Sequence, residues 1–320
     1  MISVVFMGTP AFSVPILEGL IEQDYQILAV VTQPDRKVGR KGVLTSPPVK
    51  VAAQKYNLLT LQPEKIAYSA EMDKILDLNP ELIITAAFGQ FLPEKLLETP
   101  KFGAINVHAS LLPKYRGGAP VHYAIINGES KTGVTIIKMA KKMDAGDIIA
   151  QKTLSITKND NVGTMFEKLS LLGQDLLLET LPAYLEGKIK LLPQNEDAAT
   201  FSPNITRPQE QINWQKEAIA VNNQIRGMYP WPIAYTIYED LRIKIHQATV
   251  IKTKTTMQKF GTVVKRTKKE LWIAAGKKTI LQLDEVQPAG KGKLKMVDFL
   301  NGIGKALQVG DVFSNPNVEA

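Results

Sequence analysis

Cysteine is absent from the 320 residues, and histidine occurs only three times, as His108, His122 and His246. Without cysteine the chain has no disulfide, no thiol nucleophile and no cysteine-ligated zinc site. The spacing of the three histidines matches no metal motif, so we expect no bound metal.

Long apolar runs and targeting segments are also missing. No stretch approaches the roughly 18 consecutive apolar residues that indicate a membrane span. Residues 1–6 lack the basic region of a secretory signal and read as a first strand. We therefore expect no membrane segment and a cytoplasmic location. With 44% hydrophobic and 22% charged residues, the composition is that of a folded globular protein, and 320 residues suit two domains.

The net charge of +8 is concentrated in one part of the chain. Residues 206–320 contain 18 of the 39 lysines and arginines but only 10 of the 31 acidic residues, and residues 1–205 are neutral overall. Such an excess is compatible with an ordinary basic, soluble surface. It is equally compatible with a face that binds nucleic acid, because neutralising phosphates releases counterions.

The first half of the chain alternates between two patterns. Apolar runs at 2–7, 25–32 and 82–88 are typical of strands buried on both faces, and helical periodicity separates them at 12–23 and 69–79. This alternation predicts an α/β domain with a doubly wound, mostly parallel sheet. We place this first domain at residues 1–187.

The pattern changes in the last third. Residues 188–208 lose periodicity and contain three prolines, which predicts an interdomain linker. Beyond it, one helical pattern at 216–228 precedes several short strand-like runs with no helices between them. These features predict a smaller, OB-like β-barrel over residues 209–320.

A dinucleotide cofactor is not expected despite the sheet topology. The first strand is followed by Gly8-Thr9-Pro10, whereas the dinucleotide fingerprint needs a second glycine where Pro10 stands.

The first candidate site is formed by Asn106 and His108. Two residues apart on a strand, their side chains leave the same face of the sheet. An amide supplies a fixed hydrogen-bond donor, and an imidazole supplies a group that titrates near neutral pH. Taken alone, the pair also fits a histidine satisfied by backbone groups and a turn asparagine.

Two further segments carry polar side chains that suit chemistry. Asp144 lies in a loop between two predicted strands, either as a catalytic carboxylate or as an ordinary turn residue before glycine. The loop at 35–42 holds four cations, among them Arg36, Arg40 and Lys41. It is either a solvated loop or a phosphate contact.

Together these segments resemble the methionyl-tRNA formyltransferase family over essentially the whole chain. Residues 106–120, NVHASLLPKYRGGAP, resemble the signature of transferases that use 10-formyltetrahydrofolate. Residues 32–40 resemble the segment that this family presents to its tRNA, and residues 133–147 resemble its carboxylate loop. The segment 226–232 is also similar to the family. The sequence departs from the family at Gly118, Asn204 and Asn213, where alanine, lysine and aspartate are common.

The resemblance implies a reaction and a set of residues. The chain would transfer the formyl group of 10-formyltetrahydrofolate to methionyl initiator tRNA, for translation initiation, as a monomer and without metal. Asn106, His108 and Asp144 would be catalytic. The folate would be held by two loops, whose implied contacts are Ser110, Leu111, Leu112, Pro113, Phe88, Gly89 and Leu92. The tRNA would be contacted by Arg36, Arg40 and Lys41.

Three other functions stay open from the sequence alone. The acceptor could be a small amine, such as glycinamide ribonucleotide or an amino sugar nucleotide, although such an acceptor needs no basic second domain. A hydrolase that releases formate from the same folate would share the fold of the first domain. A nucleic-acid-binding protein on a degenerate scaffold would have had no reason to keep Asn106, His108 and Asp144 together.

Overall fold

The computed structural model describes residues 1–39 and 42–315. The chain forms two compact units, and it passes between them several times. The first unit contains residues 1–120, 131–155 and 166–203, and the second contains 121–130, 156–165 and the chain from 204 onward. Within the described residues, no helix combines the length and apolarity needed to cross a membrane.

The elements alternate in the first half and are mostly strands in the last third. In chain order they are β1 (Ser3–Gly8), α1 (Ser13–Glu22), β2 (Gln26–Val31), β3 (Arg36–Val38), β4 (Val43–Thr45), α2 (Pro48–Lys55), β5 (Thr60–Leu61), α3 (Ala70–Asp77), β6 (Leu82–Ala86), α4 (Glu94–Glu98), β7 (Ala104–His108), α5 (Pro120–Ile126), β8 (Lys131–Lys138), β9 (Ile148–Ser155), α6 (Val162–Leu185), α7 (Ala218–Gly227), β10 (Tyr235–Tyr238), β11 (Leu241–Ile251), β12 (Val263–Arg266), β13 (Leu271–Ala274), β14 (Ile280–Pro288), β15 (Leu294–Lys295) and α8 (Met296–Asn301).

The first unit is built on a seven-stranded sheet in the order β5-β2-β1-β6-β7-β8-β9. The strands from β5 to β7 pair in parallel, and β8 and β9 are antiparallel additions at one edge. Every residue of β6 is buried, as is most of β1, so these central strands are covered on both faces and require continuous apolar sequence. The predicted doubly wound, mostly parallel sheet is confirmed.

The order of the strands reverses at β1, which lies between β2 and β6. In open α/β sheets the crevice at such a reversal, outside the carboxyl ends of the strands, is where ligands bind. Here those ends are Gly8 of β1 and Ala86 of β6, which are paired in register. The loops that follow β1, β2 and β6 therefore form the natural binding edge of the sheet.

One face of this sheet is covered by α6. The Ser170 hydroxyl donates to the Phe12 carbonyl over 2.7 Å, and the Phe12 and Phe166 rings meet edge to face with centroids 6.3 Å apart. Gly173 brings the helix so near β7 that a Cβ there would lie 3.0 Å from the Val107 side chain. The long apolar pattern of this helix is therefore core, as its periodicity indicates.

The basic segment after β2 contains a short hairpin that the sequence pattern does not predict. Strands β3 and β4 pair antiparallel, with Val38 opposite Val43. Asp35 anchors the base of the hairpin, because its carboxylate accepts hydrogen bonds from the side chains of Ser46, Lys50 and Gln62. These bonds, led by that from Gln62 and then that from Lys50, hold the pKa of Asp35 below its ordinary value.

The second unit contains a six-stranded antiparallel sheet in the order β10-β11-β14-β13-β12, with β15 added to β14. Residues 310–314 connect the two edges of this sheet. The Val263 amide at the start of β12 donates to the Asp311 carbonyl over 2.8 Å, and the Ser314 amide donates to the Ile237 carbonyl of β10 over 2.8 Å. This segment closes the sheet into a barrel-like structure, which confirms the predicted fold of this part of the chain.

Candidate active site

Asn106 and His108 leave β7 on the same side of the sheet, as their spacing predicts. Asn106 lies opposite Thr85 on β6, and the Thr85 hydroxyl donates to Asn106 Oδ1 over 2.8 Å. Because this bond occupies the amide oxygen, the orientation of the amide is fixed and Nδ2 is left to donate elsewhere. Asn106 as a whole is partly exposed.

Asp144 reaches both of these side chains from the loop between β8 and β9. Its Oδ1 lies 3.4 Å from Asn106 Nδ2, and its Oδ2 lies 3.7 Å from His108 Nδ1. The backbone amide of Gly117 donates to the same Oδ2 over 2.8 Å. The structure therefore brings the three predicted catalytic residues together, although Asp144 lies 36 positions after His108 in the sequence.

His108 is buried between two oxygen acceptors. Its Nε2 lies 3.0 Å from the Tyr115 carbonyl oxygen, and because a carbonyl only accepts, Nε2 carries the proton in this contact. The other ring nitrogen faces the Asp144 carboxylate.

Two glycines make the close approaches in this site possible. A Cβ on Gly146 would lie 1.7 Å from the Lys138 carbonyl oxygen, which no side chain tolerates. Gly117 has φ +114°, and a Cβ there would lie 2.9 Å from the Ser202 carbonyl oxygen. The loop that carries Asp144 and the loop that binds its carboxylate therefore each require glycine at one position, Gly146 and Gly117.

The predicted folate loop that follows β7 is held by hydrogen bonds. The Ser110 hydroxyl donates to the Lys114 carbonyl over 2.7 Å, and the Leu112 amide donates to the Thr135 hydroxyl over 3.1 Å. Ser110 and Leu112 are buried, whereas Leu111 and Pro113 are partly exposed. The buried pair therefore shapes the loop, and the exposed pair presents its surface.

The second predicted folate loop lies at the strand-order reversal. Phe88 is buried, and its carbonyl oxygen accepts hydrogen bonds from the side chains of Thr9 (3.1 Å) and Gln33 (3.2 Å), which follow β1 and β2. Gly89 is exposed with φ +84°, and Leu92 packs against the core. The three predicted contacts therefore lie at the edge of the sheet where ligands bind.

Of the three predicted tRNA contacts, only Arg36 falls within the described residues, because Arg40 and Lys41 lie outside them. Arg36 begins β3, is exposed, and forms a bidentate ion pair with Glu64. The hairpin also exposes the apolar side chains of Val38, Val43 and Leu44.

A second polar network underlies the site and was not predicted. Arg116 is fully buried, and its guanidinium donates to Gln194 Oε1 (2.8 and 3.2 Å) and to the Glu196 carboxylate (2.7 and 3.2 Å). The Arg116 bonds, followed by those from Lys142, lower the pKa of Glu196 to about 2. The amide nitrogen of Gln194 in turn donates to the carbonyl oxygens of Asp144 (2.8 Å) and Gly146 (2.7 Å).

The segment expected to be a linker supplies this network. Residues 188–203 belong to the first unit, and residues 204–208 to the second. The Arg116 amide donates to the Thr200 carbonyl over 2.8 Å, and the Ser202 amide donates to the Arg116 carbonyl over 2.7 Å. The sequence pattern could point only to Arg116, because its partners Gln194 and Glu196 lie about 80 residues later in the chain.

Among residues 1–39 and 42–315, no group of three or more histidine, aspartate or glutamate side chains is arranged to hold a metal ion.

Comparison with known proteins gives the family. The model of the family described as "Formyl transferase" matches residues 1–181, and the model described as "Formyl transferase, C-terminal domain" matches residues 204–304. A methionyl-tRNA formyltransferase of Enterococcus faecalis is 65% identical over 305 residues, which cover 95% of this chain and 97% of the relative.

Solved structures share the fold at low identity. A sugar 3N-formyl transferase, WlaRD, superposes with a TM-score of 0.66 at 20% identity, covering 91% of this chain and 99% of its own. Methionyl-tRNA formyltransferase from Clostridium thermocellum gives a TM-score of 0.55 at 17% identity, covering 79% and 96%. The curated relative and the two family models place the chain in the formyl transferase family, among the methionyl-tRNA formyltransferases.

Proposed function

We propose that this chain transfers the formyl group of 10-formyltetrahydrofolate to the amino group of methionyl initiator tRNA. One observation carries the proposal: Asn106, His108 and Asp144 meet at the end of β7. The Asp144 carboxylate lies 3.4 Å from Asn106 Nδ2 and 3.7 Å from His108 Nδ1. The 65% identical relative named methionyl-tRNA formyltransferase supports the choice of acceptor.

The two loops beside the catalytic residues suit the folate donor. The loop with Phe88 and Gly89 lies at the strand-order reversal, and exposed backbone near Gly89 suits contacts with a polar heterocycle. Leu92, Leu111 and Pro113 add partly exposed apolar surface. Ser110 and Leu112 contribute by shaping the second loop. The donor supplies an activated formyl carbon.

The reaction is a direct exchange of one bond for another. A bond forms between the acceptor nitrogen and the formyl carbon, and the bond from that carbon to the donor nitrogen breaks. The acceptor amine loses a proton, and the departing donor nitrogen gains one. No covalent bond to the protein is required, which agrees with a chain that has no cysteine.

Asn106 is the donor for the developing oxyanion. Negative charge accumulates on the formyl oxygen as the amine attacks. Thr85 occupies Oδ1 of the Asn106 amide, and one N–H of Nδ2 donates to Asp144 Oδ1, which leaves the second N–H for the formyl oxygen. A donor placed in advance on such an oxygen is worth about 2.7–4 kcal/mol.

His108 and Asp144 manage protons and charge. The imidazole is buried with its Nδ1 facing Asp144 Oδ2 at 3.7 Å, so the carboxylate stabilises a positive ring and fixes its orientation. A ring held in this way transfers a proton or stabilises the charge of the intermediate. The Gly117 amide keeps the carboxylate in place.

The tRNA is expected to contact the basic surfaces of the chain. Residues 206–320 hold the net charge of +8 and suit the phosphate backbone. The hairpin of β3 and β4, with Arg36 described and Arg40 and Lys41 beyond the described residues, is the proposed contact near the reactive end of the tRNA. Because this acceptor belongs to protein synthesis, we place the reaction in the cytoplasm. We also expect the chain to act as a monomer.

The proposal is tested by measuring formyl transfer to methionyl initiator tRNA from 10-formyltetrahydrofolate, with His108→Ala as the control. Transfer by the wild type that is lost in the variant supports both the substrates and the site. Transfer to an amino sugar nucleotide or to glycinamide ribonucleotide, but not to the charged tRNA, contradicts the choice of acceptor. Release of formate without an acceptor indicates a hydrolase.

A further inference from the structure

We propose that Gln194 is a positioning residue for the reaction, which holds the backbone of the Asp144 loop so that its carboxylate faces His108. The proposal rests on the catalytic role of Asp144 in the proposed function. Among the described hydrogen bonds, Gln194 makes none to the side chains of Asn106, His108 or Asp144. It acts on the backbone on either side of Ala145, through the carbonyl oxygens of Asp144 (2.8 Å) and Gly146 (2.7 Å).

The orientation of the Gln194 amide is dictated by Arg116. A fully buried guanidinium must be paired, and Gln194 Oε1 accepts two of its N–H bonds. If the amide were flipped, its NH2 group would face those N–H donors, and its oxygen would face two carbonyl oxygens. Arg116 therefore directs Gln194 Nε2 toward the loop.

Glu196 anchors the other side of this arrangement. Its carboxylate binds Arg116 and also forms an ion pair with Lys142, two residues before Asp144. One chain of hydrogen bonds therefore runs from the Glu196 carboxylate through Arg116 and Gln194 to the two carbonyl oxygens of the loop.

The loop needs such a support because its conformation is unusual. Asp144 has φ +48°, in the left-handed region that residues other than glycine seldom adopt and that persists where the surroundings impose it. Within the described contacts of this loop, Gly117 binds the side chain of Asp144, and Gln194 binds the backbone. Without Gln194, two carbonyl oxygens lose their donors, and the backbone that carries Asp144 can shift relative to the imidazole although the Gly117 amide still binds the carboxylate.

The decisive variant is Gln194→Glu, which keeps the size of the side chain and an acceptor for Arg116 but has no N–H for the loop. A matched control exists in the second unit, where Gln224 Nε2 donates to the carbonyl oxygens of Gln209 (2.9 Å) and Gln211 (3.0 Å). Gln224→Glu removes the same kind of clamp away from the catalytic residues.

For Gln194→Glu we expect kcat to fall about 10- to 100-fold, because a misplacement of about 1 Å can cost about 100-fold. The KM values for both substrates should stay within about twofold, because uniform binding is not affected. Gln224→Glu should keep the wild-type kcat. A kcat for Gln194→Glu within about twofold of wild type, or a rise in KM alone, overturns the proposal.

A second readout does not depend on turnover. The chain has only three histidines, so the ring signals of His108, His122 and His246 can be followed by NMR and assigned with single variants. Gln194→Glu should shift the His108 signals and leave the other two in place, and unchanged His108 signals overturn the proposal. If the wild type fails to formylate methionyl-tRNA, the proposed function is wrong, and this measurement still decides whether Gln194 positions Asp144.

Discussion

His108 Nδ1 lies 3.7 Å from Asp144 Oδ2, and the same oxygen accepts a 2.8 Å hydrogen bond from the Gly117 amide. The carboxylate is therefore held by a backbone group of the loop that follows β7, the strand that carries His108. This arrangement fixes the distance between carboxylate and imidazole more firmly than two side chains alone could, because one of the two anchors has no rotamer freedom.

Replacing Asp144 by asparagine should reduce kcat by about 10²- to 10⁴-fold, the usual range for a lost acid–base function. The neutral amide no longer stabilises a positive imidazole, although it fills the same space. KM for the folate should change little. Steady-state kinetics of formyl transfer measure both quantities.

Asp147→Asn provides the control for this experiment, because Asp147 lies three residues away in the same loop region and contacts neither Asn106 nor His108 in any described interaction. It should keep a kcat near that of the wild type. Equal losses in the two variants would show that the loop tolerates no substitution, and that the charge of Asp144 has no special part.

The hydrogen bond from Thr85 to Asn106 should matter for the rate. Thr85→Val keeps the shape but removes the hydroxyl that fixes the amide, so we expect kcat to fall, but by less than the roughly 10²- to 10³-fold expected for losing an oxyanion donor. Asn106→Ala sets that upper limit. The comparison is made by single-turnover kinetics.

Thr180→Val is the matched control, because the Thr180 hydroxyl is also buried in the first unit and donates to a backbone carbonyl, that of Leu176. If Thr85→Val is no slower than Thr180→Val, Thr85 does not orient the catalytic amide.

Arg36→Ala should weaken tRNA binding while leaving the chemistry intact. Its ion pair with Glu64 is exposed, so its loss should change stability by no more than about 1 kcal/mol. We expect a higher KM for the tRNA, an unchanged KM for the folate and a weaker dependence of tRNA affinity on salt concentration.

Lys188→Ala removes one positive charge from another exposed ion pair of the first unit, with Glu186. Its tRNA KM should match that of the wild type. The same rise in KM for both variants would mean that only the total charge counts, and the hairpin would not be a specific contact.

The stability of the second unit should fall as the pH is lowered from 7 to 5.5. Burial lowers the pKa of His122 and, likewise, that of His246 below the ordinary value of 6.5. In the folded chain both histidines bind protons only at a lower pH than in the unfolded chain, where they titrate near 6.5, so acid favours unfolding. Thermal unfolding followed by circular dichroism between pH 8 and 5.5 measures the effect.

A His122→Phe variant should show a smaller loss of melting temperature over this interval, because phenylalanine cannot be protonated. Glu196→Gln is the opposite control. The pKa of Glu196 is lowered to about 2 from 4.5, so its stabilising effect is complete above pH 4.5 and is lost only as the pH falls toward 2. Its difference from wild type should be constant from pH 8 to 5.5. A pH dependence in His122→Phe equal to that of the wild type would contradict the role of His122.

The sequence predicted those features that depend on local patterns. The apolar run at 82–88 contains β6, because a strand buried on both faces requires mostly apolar sequence, and Thr85 is the one polar residue of β6. Once β7 is recognised as a strand, the two-residue spacing of Asn106 and His108 predicts that both side chains lie on the same face of the sheet. The hairpin of β3 and β4 was missed, since three-residue strands with exposed side chains leave no periodicity to detect.

The support of the site could not be predicted in the same way. Gln194 and Glu196 lie in a segment without periodicity, and they meet Arg116 only after the chain has folded. A contact across about 80 residues between single polar side chains leaves no local signal. The family resemblance implied the proposed catalytic residues but not the residues that hold them.

The alternation of the chain between its two units bears on how the gene can be divided. A fragment ending at residue 203 would keep α5 but lose α7, whose Gly227 lies so close that a Cβ there would be 2.5 Å from the Ile126 side chain. It would also keep the carbonyl of Asp160 but lose Arg226, which binds it over 2.9 Å. Cutting the chain at residue 203 therefore does not separate the two units. Recombination between homologous genes at residue 203 would keep neither unit intact unless residues 121–130 and 156–165 were exchanged together with the last third.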